Sequence, residues 1–233
     1  MNDYVTFIAA KEVDAILKEL YAQCSSKRVD EGIDICISHI KHLESGYHVV
    51  GANYTYILET VHNRKSFIYC FLSAIKGFDD GYEVTTNELY IIIETICLDF
   101  PKGLLMDAML TTTEQYNNNT FSPDNKYPIA TLARALICHI LYDEWLKALE
   151  ETFRNDGKAF TLSGTRIRSR CEQCYRNLPK FCPQPPYAAT QTVYDEASKN
   201  GGELSFERFK KTVFNSEAVQ TEIRLLSNYP SLL

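Results

Sequence analysis

Thr85-Thr86-Asn87-Glu88-Leu89-Tyr90-Ile91-Ile92-Ile93-Glu94-Thr95-Ile96-Cys97-Leu98 carries signals for both a strand and a helix, and the fold class turns on which prevails. Its isoleucine triplet suits a β-strand, because branched side chains pack well on a pleated surface. Its front end argues the other way. Thr85 and Glu88 have the spacing of a capping box, in which a hydroxyl and a carboxylate satisfy two of the free N–H groups that open a helix. The length of the apolar run, Leu89 to Leu98, points the same way. We therefore expect a helix here, and with it an all-α chain.

The neighbouring sequence supports this. Asp3 precedes apolar residues at Val5, Ile8, Ala9, Val13, Ile16, Leu17 and Leu20, which predicts an amphipathic helix capped by the aspartate. A second helix is expected over Val29 to Glu44, with Ile33, Ile37 and Ile40 on one side and Gly46 as its stop. Asn53 to Asn63 and Lys65 to Lys76 read as two more, the second almost wholly apolar. Pro101 suits the first turn of a helix ending near Thr113.

The stretch from Asn117 to Lys126, rich in asparagine and carrying Ser122-Pro123, reads as an exposed loop. It gives the best internal boundary, between an acidic lobe over 1–116 and a second lobe over 127–233, unless the two make one continuous domain. Beyond it, one long helix is expected over Ile129 to Phe153 and a cationic helix over Thr165 to Leu178. Shorter helices follow near Thr190 to Ala197, Ser205 to Phe214 and from about Ser216. No alternating strand is visible. The expectation is a multi-helix bundle or two helical lobes.

Composition sets the outer bounds. The 233 residues are 45% hydrophobic and 23% charged, with only ten glycines and eight prolines. That excludes a disordered tail and a collagen-like chain. The formal charge of −6 argues against a protein that coats nucleic acid through bulk positive charge. Leu89 to Leu98 is too short to span a bilayer and contains Glu94, so no membrane insertion is expected. No secretory signal opens the chain, which points to an intracellular, cytoplasmic protein with reduced thiols. Five cysteines (Cys24, Cys36, Cys70, Cys97, Cys138) stand singly among apolar residues and read as small hydrophobes.

Two segments share a pattern. Asp80-Gly81-Tyr82-Glu83-Val84-Thr85-Thr86-Asn87-Glu88 and Asn200-Gly201-Gly202-Glu203-Leu204-Ser205-Phe206-Glu207-Arg208-Phe209 each run through a glycine turn, an apolar residue and a hydroxyl cap into a helix. Asn155-Asp156-Gly157 with Phe160 and Thr161 is a fainter echo. These segments resemble the second half of an EF-hand, and the resemblance implies degenerate helix–loop–helix units. Calcium needs six to eight oxygens. With Leu204 as the eighth loop position, positions one, three, five and twelve are Ala197, Lys199, Gly201 and Arg208, none a carboxylate. With Val84 as the eighth, Asp79 and Glu88 remain, but Gly77 and Gly81 replace two ligands.

Cys171-Glu172-Gln173-Cys174, followed by Cys182, gives two thiols on one helix face and a third beyond. Zinc is the metal that such a set would take, but a structural site wants four donors and the second pair is missing. Charge is distributed unevenly. Residues 1–100 hold eight lysines and arginines against fifteen acids, whereas Arg166, Arg168, Arg170, Arg176 and Lys180 face only Glu172. With Tyr175 beside them they are candidates for a phosphate or a stacked base; ion pairs within the chain or with a partner are the other reading.

No phosphate loop, nucleophile elbow or metalloprotease signature is present, so no catalytic residue and no cofactor is expected. The chain reads as a non-catalytic adaptor, regulator or assembly subunit that binds another protein or itself. An RNA-binding subunit of nucleocapsid type is the main alternative, and an EF-hand-type regulator without strong calcium binding the second.

Overall fold

The apolar pattern after Pro128 folds as two helices, not one. In the computed structural model, which describes residues 14, 17–18, 20–22, 24–25, 27–79, 81–112, 125–155, 161–178, 182–199 and 203–228, the helix from Ile129 breaks at Tyr142 (φ −106°, ψ 24°). Tyr142 is fully buried there and donates a hydrogen bond from Oη to Glu222 Oε2 at 2.6 Å. Asp143 and Glu144 then open the next helix, where carboxylates complement the positive end of its dipole. Periodicity alone could not show the break, because both helices keep an apolar face.

The helices in chain order are α1 (Val29–Ser45), α2 (Tyr54–Glu59), α3 (Val61–Ile75), α4 (Thr86–Glu94), α5 (Lys102–Thr112), α6 (Ile129–Leu141), α7 (Asp143–Asn155), α8 (Gly164–Asn177), α9 (Tyr187–Lys199), α10 (Phe206–Phe214) and α11 (Glu217–Leu226). The all-α expectation therefore holds, with one correction. Among the described residues, four very short strands are present: β1 (Glu83–Val84), β2 (Tyr127–Pro128), β3 (Thr161–Ser163) and β4 (Glu203–Ser205). They pair antiparallel as β1 with β2 and β3 with β4, setting Val84 opposite Tyr127 and Leu162 opposite Leu204. Strands of two or three residues leave no alternating pattern to read. The helix expected behind Asp3 begins outside the described residues, as does most of the loop over 117–126.

The chain divides into two compact units. The first comprises Met1–Ala74, Ile93–Phe100 and Leu226–Leu233; the second comprises Ile75–Ile92 and Pro101–Leu225. The division does not follow the loop over 117–126. Pairing of β1 with β2 draws the segment before that loop into the same unit as the segment after it.

In the first unit, α1 stops at Gly46, whose φ of 72° needs a residue without a Cβ and whose N–H bonds Leu43 O. Thr60 is extended and separates α2 from α3, its Oγ1 accepting from the Asn63 N–H at 3.0 Å. Phe67 stacks on Phe100 with ring centres 5.8 Å apart, beside buried Ile57, Ile68 and Phe71. Asp99 ties in the end of the 93–100 segment by accepting from the Tyr54 N–H at 2.8 Å.

The second unit repeats one device. A helix, a short strand and a second helix follow one another as α5-β2-α6, α7-β3-α8 and α9-β4-α10. Trp145, Phe153, Phe206 and Phe209 fill the core, with Phe153 and Phe206 centred 5.0 Å apart. Gly164 starts α8 close against α9, where a Cβ would lie 3.1 Å from Ala197 Cβ.

Candidate partner-binding surfaces

Helix α1 carries two apolar lines. Gly32, Cys36, His39 and Leu43 follow a spacing of four, three and four, and so do Ile33, Ile37, Ile40 and Glu44 one residue further on. Both lines have the periodicity of a helix seam, and adjacent lines lie about 100° apart around the helix. The first line is turned inward, every member buried or half-buried. The second is turned out: Ile33, Ile37 and Ile40 are 56%, 48% and 49% exposed. Tyr47 and Val50, in the turn after α1, are also exposed.

The turn after α1 meets α2 and the start of α3 through aromatic and polar groups of the same unit. His48 stacks on His62 with ring centres 4.9 Å apart, and His48 Nε2 lies 3.1 Å from Asn63 Oδ1. Asn63 Nδ2 in turn donates to Tyr56 O at 2.8 Å. Burial, then the neighbouring charges of His48 and Lys65, push His62 down to about 4, against a hydrogen bond with the Leu43 backbone that pulls it up. Acidic Glu31, Asp34 and Glu44 are exposed along α1, against Lys41. The face is therefore apolar with a net acidic border.

Helix α8 is the opposite case. Its buried face is Ile167, Cys171 and Cys174, again spaced four and three, which turns the arginines toward solvent. Arg168 Nε donates to Glu172 Oε1 at 3.0 Å, and Arg176 lies 3.5 Å from Glu172 Oε2. Arg170 donates to Gln173 Oε1 at 3.1 Å, while Arg166 is exposed. Tyr175 is half-buried and donates to Pro185 O at 2.6 Å, so its ring and hydroxyl serve the connector before α9. Lys180 lies outside the described residues. The four arginines share a helix, but two of them converge on one acid.

Cys171 and Cys174 are buried, and burial pushes their thiols up to about 12 and about 11. Zinc binds the thiolate, so each would have to lose a proton that its surroundings hold. Cys182 is half-buried. Among the described residues, no three His, Cys, Asp or Glu side chains come together in a way that could hold a metal. His39 is buried on the inward line of α1, whereas His42 is exposed.

Strand pairing extends the loop count made from sequence. Leu162 pairs with Leu204 and Tyr127 with Val84; by the count that the resemblance implies, Leu162 and Tyr127 would stand at the eighth position. The twelfth positions are then Glu88, Thr131, Arg166 and Arg208. A calcium loop places a bidentate glutamate there. Glu88 is the one carboxylate, and its Oε2 accepts from the Thr85 N–H at 2.7 Å and from Thr85 Oγ1 at 3.0 Å. Those bonds hold its carboxyl below the usual range. Arg208 instead bonds Glu196 of α9 at 3.0 Å, and its N–H donates to the Ser205 cap. The sequence pattern reached Val84 and Leu204 but missed Tyr127, whose loop has no glycine turn before it.

Comparison of the chain with protein families, with curated proteins and with solved structures finds no match. Among the described residues no helix is long and apolar enough to cross a membrane.

Proposed function

We propose that the chain is a non-catalytic binding protein whose outward face of α1 receives the amphipathic, basic helix of a partner protein. The exposed line Ile33, Ile37 and Ile40 carries this reading. Three isoleucines at seam spacing offer another helix the knobs that coiled packing uses. The acidic residues bordering them favour a partner with lysine or arginine beside its apolar ridge. Surface hydrophobics scattered singly need no explanation; three in one register on one helix do. The ligand positions without carboxylates, counted from Val84 and Leu204, support a regulator or adaptor that works without calcium.

The RNA-binding alternative rests on α8. Engagement of Arg168 and Arg176 by Glu172 favours a solvated helix face instead. The two readings separate in one experiment. The chain is recovered from its native cells as wild type, as an Ile33→Glu, Ile37→Glu double variant and as an Arg166→Glu, Arg170→Glu double variant, with bound protein and RNA quantified. Loss of a specific protein from the isoleucine variant alone is the expected result. Unchanged protein partners in that variant, or RNA lost from the arginine variant, contradicts the proposal.

A further inference from the structure

Sequence spacing treats each of Cys24 and Cys36 as an isolated small hydrophobe, but the fold brings them together. Their sulfurs are 3.8 Å apart across twelve positions of chain. Cys24 Sγ also lies 3.6 Å from Gly32 O, one turn before Cys36 on the inward line of α1. Both cysteines are half-buried, whereas Cys70, Cys97, Cys138, Cys171 and Cys174 are buried. A disulfide needs the two sulfurs at about 2.05 Å, so closure brings them nearer than the 3.8 Å of the free thiols. Cys36 lies three residues after Ile33 and four before Ile40, at the border of the exposed stripe.

We propose that Cys24 and Cys36 form a reversible redox pair, closed by exchange with a small disulfide of the glutathione class. One protein thiolate attacks the small disulfide, making a mixed disulfide and releasing one small thiol. The second protein thiolate then attacks the protein sulfur of that mixed disulfide and releases the second small thiol. Two protein thiols lose two electrons and two protons; one small disulfide is reduced to two thiols. Closure fastens the segment around residue 24 to α1 beside its isoleucines. Burial and the hydrogen bond with Cys36 push the Cys24 thiol up, so exchange quickens as pH rises above neutrality.

The full chain is equilibrated with graded ratios of oxidised to reduced glutathione, trapped by alkylation, and digested with trypsin without reduction. Cleavage after Lys18, Lys27, Arg28 and Lys41 places the two cysteines in separate peptides, so the bond appears as a linked pair. The expected result is a Cys24–Cys36 link at least tenfold more abundant than any other pairing and removed by dithiothreitol. Cys36→Ser should convert the link into a glutathione adduct on Cys24, and Cys24→Ser the converse. Adducts on both cysteines of one wild-type chain without a link would overturn the proposal. So would earlier closure of another pair, or both thiols staying free at every ratio.

Discussion

Helices α1 and α8 exchange the roles that their sequences suggest. The isoleucines of α1 read from sequence only as one side of a helix, and in the fold that side faces out. The arginines of α8 read as a binding patch, yet two of them share Glu172 on the same helix. The difference lies in what each pattern can report. Apolar spacing shows that a helix has faces, but not which of two adjacent faces the fold covers. A charge run shows where solvent is, but not whether its cations are engaged by neighbours a turn away.

The largest effect should come from the exposed stripe. Ile33→Glu with Ile37→Glu should weaken partner binding by at least about thirtyfold, since central apolar anchors carry most of an interface's energy. Stability should change little, within about 0.5 kcal/mol for each exposed site. Calorimetry beside the binding assay separates the two. A large drop in melting temperature would show that the stripe is core after all, and would erase the contrast with α8.

Acid should separate the two helices next. His62 bonds the α1 backbone at Leu43 and sits at about 4, below its ordinary 6.5. A state that releases His62 takes up a proton below pH 6.5, while the folded state resists until about pH 4. Stability linked to α1 is thus fully present above 6.5 and is lost progressively between 6.5 and 4. Helix α8 has no histidine of its own. Hydrogen exchange at pH 5 should loosen α1 before α8, and His62→Gln should remove most of the pH dependence at α1. Equal loosening of both helices would break the comparison.

The caps should give smaller effects. Thr85→Ala removes a hydroxyl that serves both halves of the capping box and should cost about 1 kcal/mol. Arg208→Ala breaks an exposed pair with Glu196 and should cost under about 1 kcal/mol. Calcium added to the wild-type chain should leave the melting temperature unchanged, because the twelfth positions hold one engaged glutamate, a threonine and two arginines. A calcium-dependent rise would restore the paired loops as metal sites.

Much of the helical layout was legible because its signals are local. Gly46 stops α1, Thr85 and Glu88 cap α4, and Ser205 caps α10, each within one turn of chain. The break at Tyr142 was not legible, because both flanking helices keep an apolar face and the carboxylate that Tyr142 meets, on Glu222, lies eighty residues on. The strand pairs and the meeting of Cys24 with Cys36 are likewise products of chain return rather than of spacing. The exposed stripe was named from sequence as one side of a helix, but its openness belongs to the fold.

The most direct test places a photo-crosslinking amino acid at Ile37 in one chain and at Arg166 in another, with irradiation in native cells. A discrete protein adduct is expected from position 37, heavier than the chain by something other than a second copy of itself, with little from position 166. Adducts to RNA or protein from position 166, with none from position 37, would contradict the proposal.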